Sequence, residues 1–264
     1  MSADRRHYRR ALLKALAGLG GLALSGCDRL SSATRSRSVL DAAEGLTYRA
    51  QRFLVGADRL AREYSEADIS PAFRANGSTD PQDKDYRALV GNAFVDWRLK
   101  VHGSVERELS LSLADLRALP ARTQITRHDC VEGWSCIGKW TGVPLAEVLA
   151  RAGVKPAARF VVVHCADTLD DGDGFGDDPE RIRYYESIDL NDAYHPQTIL
   201  AYDMNSEPLT IPHGAPLRLR VERQLGYKMP KYVMRIELVQ SFEKLYGGRG
   251  GYWEDRGYEW YAGI

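Results

Sequence analysis

Apolar and polar residues alternate in three stretches of the chain, and a period of two predicts β-strands that bury one face. The stretches are Trp97–His102, Leu217–Glu222 and Val233–Val239. In the second stretch, three charged side chains share one face. Phe160–His164 is instead a continuous, mostly β-branched run, which predicts a fully buried strand. Strands therefore dominate the predicted fold.

Two short helices are predicted between these strands. The first covers Leu111–Leu119, with Ser112 as its N-cap and Pro120 just past its end. The second has Pro144 in its first turn, where the missing N–H is harmless, and ends at Gly153. Its helical spacing predicts a buried stripe of Leu145, Val148, Leu149 and Ala152. Because the elements show no regular β-α-β order, the pattern predicts an α+β fold rather than a doubly wound sheet.

The N-terminus has the features of an export signal. A basic segment precedes the apolar run Ala15–Leu24, which is too short to span a bilayer as a mature helix. Arg9–Lys14 resembles a twin-arginine signal, and Leu24–Cys27 resembles a lipobox, in which Cys27 would be lipidated. An ordinary signal peptide with an incidental cysteine is the alternative. Asp28 is the residue that retains lipoproteins at the inner membrane in many bacteria, so the sequence predicts a periplasmic, lipid-anchored protein.

The charge balance excludes one class of partner. The whole chain carries 36 basic and 36 acidic side chains, of which five basic and one acidic precede Cys27. The remaining chain has 31 basic and 35 acidic side chains, a net charge of −4. No basic excess indicates a nucleic-acid partner. The predicted organisation is a signal peptide at 1–26, a lipid-anchored tether and N-terminal arm at 27–60, and one domain at 61–264.

Beyond Cys27 the chain has three cysteines, and an odd number leaves at least one thiol unpaired in an oxidising compartment. Cys136 and Cys165 could pair with each other or both be buried. Cys130 lies among charged residues in Arg127–Ser135, where a thiolate stabilised by basic neighbours could bind a metal or act as a nucleophile. The simpler interpretation is a small buried apolar residue.

An acidic, glycine-rich segment at residues 166–180 lacks the spacing of a calcium-binding loop. A solvated surface loop is therefore expected there. It could overhang the mouth of an active site.

Three motifs occur in an order that resembles the sulfite-oxidase superfamily, in particular its bacterial periplasmic, sulfoxide-reductase-like branch. They are Arg127–Ser135, Trp140–Leu145 and His213–Arg218. The resemblance covers the chain roughly from Tyr64 to its C-terminus. It implies a β-rich molybdopterin-binding fold in a single domain without a C-terminal dimerisation domain. It also implies molybdopterin as the cofactor, with Cys130 as the protein ligand of molybdenum.

The same resemblance assigns further residues. It places Asn76, His195, His213, Arg218, Lys228 and Lys231 at the pterin or its phosphate, and the donors of Arg218 suit a phosphate physically. Arg127 would flank the metal centre, although it could equally be a structural hydrogen-bonding residue. Tyr258 would be a substrate-pocket tyrosine that bonds an oxygen or moves a proton, unless the aromatic C-terminal stretch simply packs together.

These expectations describe an exported oxidoreductase that transfers an oxygen atom to or from a small oxo substrate, in sulfoxide reduction or sulfite oxidation. The chain has no Cys-x-x-Cys-His haem motif, so electrons would be exchanged with a membrane or soluble cytochrome or a quinone-linked partner. Two alternatives remain. One is a thiol enzyme with Cys130 as nucleophile and His128 or His164 as base. The other is a non-catalytic, ligand-binding lipoprotein.

Overall fold

The computed structural model describes residues 45–52, 56, 59–169 and 183–264. Residues 45–52 are helical, and residues 59–169 and 183–264 belong to the domain described below. The predicted signal peptide and Cys27 lie outside the described residues, as do most of the tether and most of the acidic segment. None of the helices within the described ranges combines the length and apolar character that crossing a bilayer would need.

Strands dominate the described domain, as the sequence predicts. In chain order they are β1 (Leu99–Gly103), β2 (Leu109–Leu111), β3 (Arg122–Asp129), β4 (Ser135–Pro144), β5 (Phe160–Cys165), β6 (Tyr185–Asp189), β7 (Ile199–Met204), β8 (Glu207–Pro208), β9 (Arg218–Arg220) and β10 (Val233–Val239). One sheet has the order β2-β1-β10-β5-β6, in which only β1 and β10 are parallel. The other runs β3-β4-β7-β8, with β9 also paired to β7. The α+β, β-rich class is confirmed.

The helices are short. They are α1 (Lys84–Gly91), α2 (Leu113–Arg117), α3 (Leu145–Ala152) and α4 (Leu190–Ala193). Ser112 caps α2 as predicted, because its hydroxyl accepts the Asp115 N–H, but the helix is shorter than the predicted nine residues. Pro144 is the N-cap of α3 rather than a residue of its first turn, since β4 continues up to it. Gly153 ends the helix in the left-handed conformation.

The main core lies between α3 and the β5 sheet. All four residues of the predicted apolar stripe of α3 are fully buried in it, together with the valines of β5. Burying one such Leu or Val side chain contributes roughly 1.5–3 kcal/mol. This packing fixes the ends of β5 and β6, from which the site described below is built.

Single 3-10 turns occur at Glu66–Asp68, Ile211–His213, Gly226–Lys228 and Glu254–Arg256. The turn Gly226–Lys228 lies against β3 and β6, and the turn Glu254–Arg256 lies beside β6. They matter for function because their neighbours line the cavity around Cys130.

Candidate active site

Cys130 lies in the turn of the β3–β4 hairpin. The last paired residues are Asp129 and Ser135, so the chain must reverse within five residues. The Cys130 N–H donates to the Trp134 carbonyl at 2.9 Å, and the Gly133 N–H donates to the Cys130 carbonyl at 3.0 Å. Gly133 has φ +83°, which glycine adopts readily. The hairpin therefore holds the thiol at a fixed position at the edge of its sheet.

The thiol forms part of the wall of a pocket, here named the Cys130 cavity. Its walls come from separate parts of the chain: Asn76–Ser78, Cys130–Glu132, Asp167, Leu169, Tyr184, Gly226, Tyr227, Met229–Lys231, Trp253 and Tyr258. Cys130 itself is 9% exposed, so a ligand in the cavity can reach a sulfur that bulk solvent barely reaches. Of the predicted site residues, Asn76, Cys130, Lys231 and Tyr258 meet at this cavity.

The surroundings of the thiol disfavour its anion on balance. Burial raises the pKa of Cys130 and the Glu132 carboxylate adds to this, whereas the backbone N–H groups of Glu132 and Val131 and the charge of Arg74 lower it. The sequence led us to expect stabilising basic neighbours, but β3 turns Arg127 outward, where its guanidinium pairs with Asp129 at 2.9 Å. A bound metal cation would favour the thiolate, since a cysteine loses its proton when it becomes a metal ligand.

The two histidines considered as a base for Cys130 are engaged elsewhere. His128 Nδ1 accepts a hydrogen bond from Arg220 Nη1 at 3.0 Å. The ring nitrogens of His164 lie 3.0 Å from Tyr246 and Glu237. With a raised thiol pKa and its candidate bases occupied, the cysteine-nucleophile alternative loses its structural support.

Lys231 ties the N-terminal arm of the domain to the cavity wall. Its ammonium donates to the carbonyls of Asn76 at 2.6 Å, Pro212 at 3.0 Å and Ser78. Burial lowers the pKa of Lys231, and the nearby Arg218 lowers it further. All three N–H groups are thus used by backbone carbonyls, which keeps Asn76 at the cavity.

Lys228 has partners other than the predicted phosphate. Its ammonium is fully buried between the carboxylates of Glu186 and Glu254. Gly251 lies beside them, where a β-carbon would overlap the Glu254 carboxylate. This buried trio, named the Lys228 triad, joins β6 to the 3-10 turn that follows Trp253. Phosphate binding by Lys228 stays a prediction that this arrangement does not support.

His213 and Arg218 lie one layer behind the cavity wall. His213 Nε2 is 3.1 Å from the Phe73 carbonyl. Arg218 donates to the His213 carbonyl at 3.1 Å, and its guanidinium lies over the ring of Trp140, 4.9 Å from the centroid. Burial lowers the pKa of Arg218 to about 9, so its charge is weakly solvated. The two residues are neighbours, as their shared motif suggested.

His128 occupies the same layer. Burial and the charge of Arg220 hold the pKa of His128 well below its usual value, so its ring is neutral. Since Nδ1 accepts from Arg220, the proton is on Nε2, for which the described residues offer no acceptor. Arg220 also forms a buried ion pair with Glu222 at 2.7 Å. The charged face predicted from the Leu217–Glu222 alternation is thus an interior one.

Two predicted site residues lie away from the cavity. His195 is buried against the arm of the domain, with Nε2 3.2 Å from the Arg59 carbonyl. Arg127 is half-exposed on β3. Neither belongs to the described lining of the Cys130 cavity, and their assigned roles stay predictions.

A pterin with a phosphate tail fits the chemistry of this region. Three buried N–H donors of this region have no partner among the described residues: Arg218 Nε, His128 Nε2 and Trp140 Nε1. Each unsatisfied group costs about 1–3 kcal/mol, so a polar ligand that engages them would be strongly favoured. A phosphate supplies acceptors, a pterin supplies both donors and acceptors, and Cys130 supplies the soft metal ligand. Asn76 and Cys130 line the cavity and would hold the cofactor there, whereas contact between Arg218 and its phosphate stays a prediction.

Sequence reasoning missed several cavity residues, notably Asp167, Tyr184 and Tyr227. Asp167 was assigned with the acidic segment to a solvated loop, yet it is only 3% exposed. One signal was available: it follows the buried strand Phe160–Cys165 by two residues, and strand ends often carry site residues. The two tyrosines gave no local signal, because aromatic residues near strands usually belong to a core.

Residues 89–246 match the protein family described as "Oxidoreductase molybdopterin binding domain". The chain belongs to this family. It is an oxidoreductase of the sulfite-oxidase superfamily, in the sulfoxide-reductase-like branch, and its cofactor is molybdopterin. The resemblance stated from the motifs, the enzyme class and the cofactor are confirmed.

The similarity of this oxidoreductase to two curated relatives covers most of the chain. It is 37% identical over 256 residues to the "Putative protein-methionine-sulfoxide reductase subunit YedZ1" of Azospira oryzae, covering 97% of this chain and 87% of the relative. It is 31% identical over 235 residues to the "Protein-methionine-sulfoxide reductase catalytic subunit MsrP" of Xanthomonas campestris, covering 88% and 70%. The solved sulfane dehydrogenase SoxCD of Paracoccus pantotrophus matches 55% of this chain and 39% of its own, with 26% identity and a TM-score of 0.47.

Proposed function

We propose that this protein is the catalytic subunit of an exported enzyme that reduces methionine sulfoxide in proteins. The observation that carries the proposal is the wall of the Cys130 cavity, which combines one thiol with an aromatic rim. The named activities of the two curated relatives point to the same substrate.

The rim suits a thioether side chain. Trp253 and Tyr258 stack with ring centroids 5.2 Å apart, and Tyr227 meets Tyr258 edge-on at 5.3 Å. Sulfur makes favourable contacts with aromatic rings, and a methionine side chain is long and flexible enough to enter from a protein surface. Tyr258 is 40% exposed and Val131 is 43% exposed, so the rim is open to a large substrate.

The cavity suits a neutral oxo substrate better than sulfite. A divalent oxyanion calls for several cationic donors, and arginine is the usual choice. The described lining contains no arginine, and the donors of its one lysine, Lys231, bond to backbone carbonyls. Sulfite would also meet the Glu132 carboxylate in the wall. These features favour sulfoxide reduction.

The reaction consumes two electrons and two protons for each sulfoxide, yielding a thioether and water. When bound, the molybdenum cofactor supplies a metal that exchanges an oxygen atom and two electrons with the substrate. The protein binds the sulfoxide at the aromatic rim, shields it from water and provides protons. We propose that the electrons come from a membrane or soluble cytochrome or a quinone-linked partner.

The proposed location is the periplasmic face of the inner membrane. Its support is the N-terminal sequence, with a twin-arginine-like segment before a lipobox-like Leu24–Cys27. A diacylated Cys27 would hold the enzyme at the membrane beside its electron donor.

The test uses protein expressed with its native signal and analysed for molybdenum. Loaded enzyme should reduce an oxidised, methionine-rich protein with a reduced viologen dye as donor, and should oxidise sulfite far more slowly. Cys130→Ser should abolish turnover and alter the molybdenum X-ray absorption spectrum, whereas Cys136→Ser, at a half-buried thiol outside the cavity, should behave as wild type. Sulfite oxidation without sulfoxide reduction by fully loaded enzyme would refute the proposed substrate.

A further inference from the structure

Asp167 is a buried carboxyl group in the wall of the Cys130 cavity. It lies two residues beyond β5, and its backbone is fixed on both sides. The Tyr184 N–H donates to the Asp167 carbonyl at 2.8 Å, and the neighbouring Ala166 N–H donates to the Tyr232 carbonyl at 3.0 Å. The side chain is only 3% exposed, and its Oδ1 has no hydrogen-bond partner among the described residues.

The donors around Asp167 are committed to other acceptors. The hydroxyl groups of the surrounding tyrosines donate to carbonyls, from Tyr86 to Ala215 at 2.7 Å, from Tyr184 to Tyr227 at 2.5 Å and from Tyr232 to Ser78 at 2.8 Å. The Lys231 ammonium likewise donates to three carbonyls. An ionised carboxylate in this position would therefore be buried with its own backbone N–H as its donor and with Oδ1 unpaired among the described residues.

The charges that face Asp167 do not reverse this conclusion. Burial raises the pKa of Asp167, whereas the charge of Lys231 and a hydrogen bond from the Asp167 backbone N–H oppose the shift without cancelling it. The other titratable groups facing it are Tyr86, Tyr184, Tyr232 and Cys165, whose own pKa values are all raised, so they are neutral near pH 7. Asp167 thus keeps its proton at a pH where ordinary carboxyl groups have lost theirs.

The second carboxyl group of the wall differs from Asp167. Glu132 accepts a hydrogen bond from Trp134 Nε1 at 2.9 Å and lies 3.7 Å from the Arg74 guanidinium. Its side chain is half-exposed, whereas that of Asp167 is buried and its Oδ1 has no partner among the described residues. The two carboxyl groups of the wall therefore differ in exposure and in hydrogen bonding.

We propose that Asp167 is a catalytic acid, which donates a proton to the oxygen atom that leaves the substrate sulfur. The inference rests on the proposed sulfoxide reduction. In that reaction the S–O bond breaks, sulfur gains two electrons from the haem- or quinone-linked donor, and the oxygen leaves as water. Asp167 supplies one of the two protons, solvent supplies the other, and solvent then reprotonates Asp167.

The test compares Asp167→Asn with Asp167→Glu and with the control Asp85→Asn, at an exposed carboxyl group in the first turn of α1. All should bind molybdenum in wild-type amounts. The wild-type rate should fall as pH rises through the pKa of Asp167. Asp167→Asn should be at least about 100-fold slower and should lose this dependence, since general acids contribute about 10²–10⁴-fold. Asp167→Glu should recover part of the rate, and Asp85→Asn should match the wild type.

A second readout does not depend on turnover. The infrared spectrum of the loaded wild-type enzyme near neutral pH should show the C=O band of a protonated carboxylic acid. Because the raised pKa of Glu186 can give a second such band, the Asp167 band is the one that disappears in Asp167→Asn, persists in Asp85→Asn and is lost from wild type as pH rises through the same range as the rate.

Several outcomes would overturn the assignment. Wild-type rate and pH profile in fully loaded Asp167→Asn would remove the catalytic role and leave the proposed function intact. Loss of molybdenum from that variant would make Asp167 a cofactor contact instead. An unchanged infrared band would show that another carboxyl group holds the proton. Loaded wild-type enzyme that reduces no sulfoxide would refute the proposed function, and this role with it.

Discussion

Gly226 lies against the imidazole ring of His128, in a position where a β-carbon would overlap Cε1 and Nε2. The contact joins the 3-10 turn Gly226–Lys228 to β3, the strand that leads to Cys130. His128 cannot easily yield, because it is fully buried and accepts a hydrogen bond from Arg220. The absence of one side chain thus allows two walls of the cavity to meet.

Gly226→Ala should therefore destabilise the domain. Inserting a methyl group into a packed site usually costs about 1–3 kcal/mol, and the overlap here places the expected loss at the upper end. Urea unfolding monitored by tryptophan fluorescence measures it. Gly91→Ala is the matched control, since no atom lies within 4 Å of a β-carbon at that helical position, and it should be neutral or slightly stabilising. Equal stability of the two variants would contradict the packing argument.

Lys228→Met should destabilise the domain by about 3–5 kcal/mol, because it leaves the buried carboxyl groups of Glu186 and Glu254 without their cation. The pKa of Glu186 is already raised by burial and by Glu254, and Lys228 opposes that shift. Removing the lysine raises this pKa further. Since stability is lost as pH rises through a raised carboxyl pKa, the deficit of the variant should grow with pH.

Urea unfolding at several pH values between 5 and 8 measures whether the stability deficit of Lys228→Met grows as pH rises. Adding Glu254→Gln to Lys228→Met should restore part of the stability, because only one buried carboxyl group then remains to ionise. Lys155→Met, at an exposed position, should have little effect at any pH. A deficit that shrinks as pH rises would mean that Lys228 is not the counter-ion of these groups.

Tyr258 offers two separable contributions at the rim of the cavity: its ring, which stacks on Trp253, and its phenol hydroxyl. If the ring binds the substrate side chain, Tyr258→Phe should keep the wild-type KM for oxidised protein, whereas Tyr258→Ala should raise KM by about tenfold, the loss of roughly 1.4 kcal/mol expected of an aromatic contact. Steady-state kinetics on loaded enzyme distinguishes these outcomes. A large fall in kcat for Tyr258→Phe, with KM unchanged, would instead assign a proton-transfer role to the hydroxyl.

The spacing of apolar residues predicted helices and strands well where burial of one face alone determines the element. The predicted bounds Val233–Val239 match β10, although a bulge between Val233 and Arg235 interrupts the alternation, and the apolar stripe of α3 is buried throughout. The helix at Leu113–Arg117 is shorter than predicted, although Ser112 caps it as expected. The side chains of Ser112 and Asp115 form hydrogen bonds with backbone N–H groups at the start of this helix. An N-cap residue predicts where a helix begins, but its length depends on tertiary packing.

The environments of charged groups followed no such local rule. The chain placed Arg127 and His128 beside Cys130, yet strand geometry sends the first outward and buries the second in neutral form. Lys228 and Lys231 are three residues apart along the chain, but Lys228 pairs with Glu186 and Glu254 while Lys231 donates to carbonyls of the N-terminal arm. Burial and contacts with distant residues determine whether a side chain is protonated and which way it points. A short segment of sequence does not contain this information.

The sequence by itself determined the class of protein: its motif order identifies the molybdopterin-binding oxidoreductases, and the family match confirms it. The motif around Cys130 is local, because hydrogen bonds among Cys130, Gly133 and Trp134 close its turn. Only the tertiary structure placed Asp167 in the cavity, because its burial depends on Tyr184 and Tyr232, which lie 17 and 65 residues further along the chain. Contacts between distant segments determine which side chains are buried and which charges they face. The environment of Asp167 therefore became visible only in the tertiary structure.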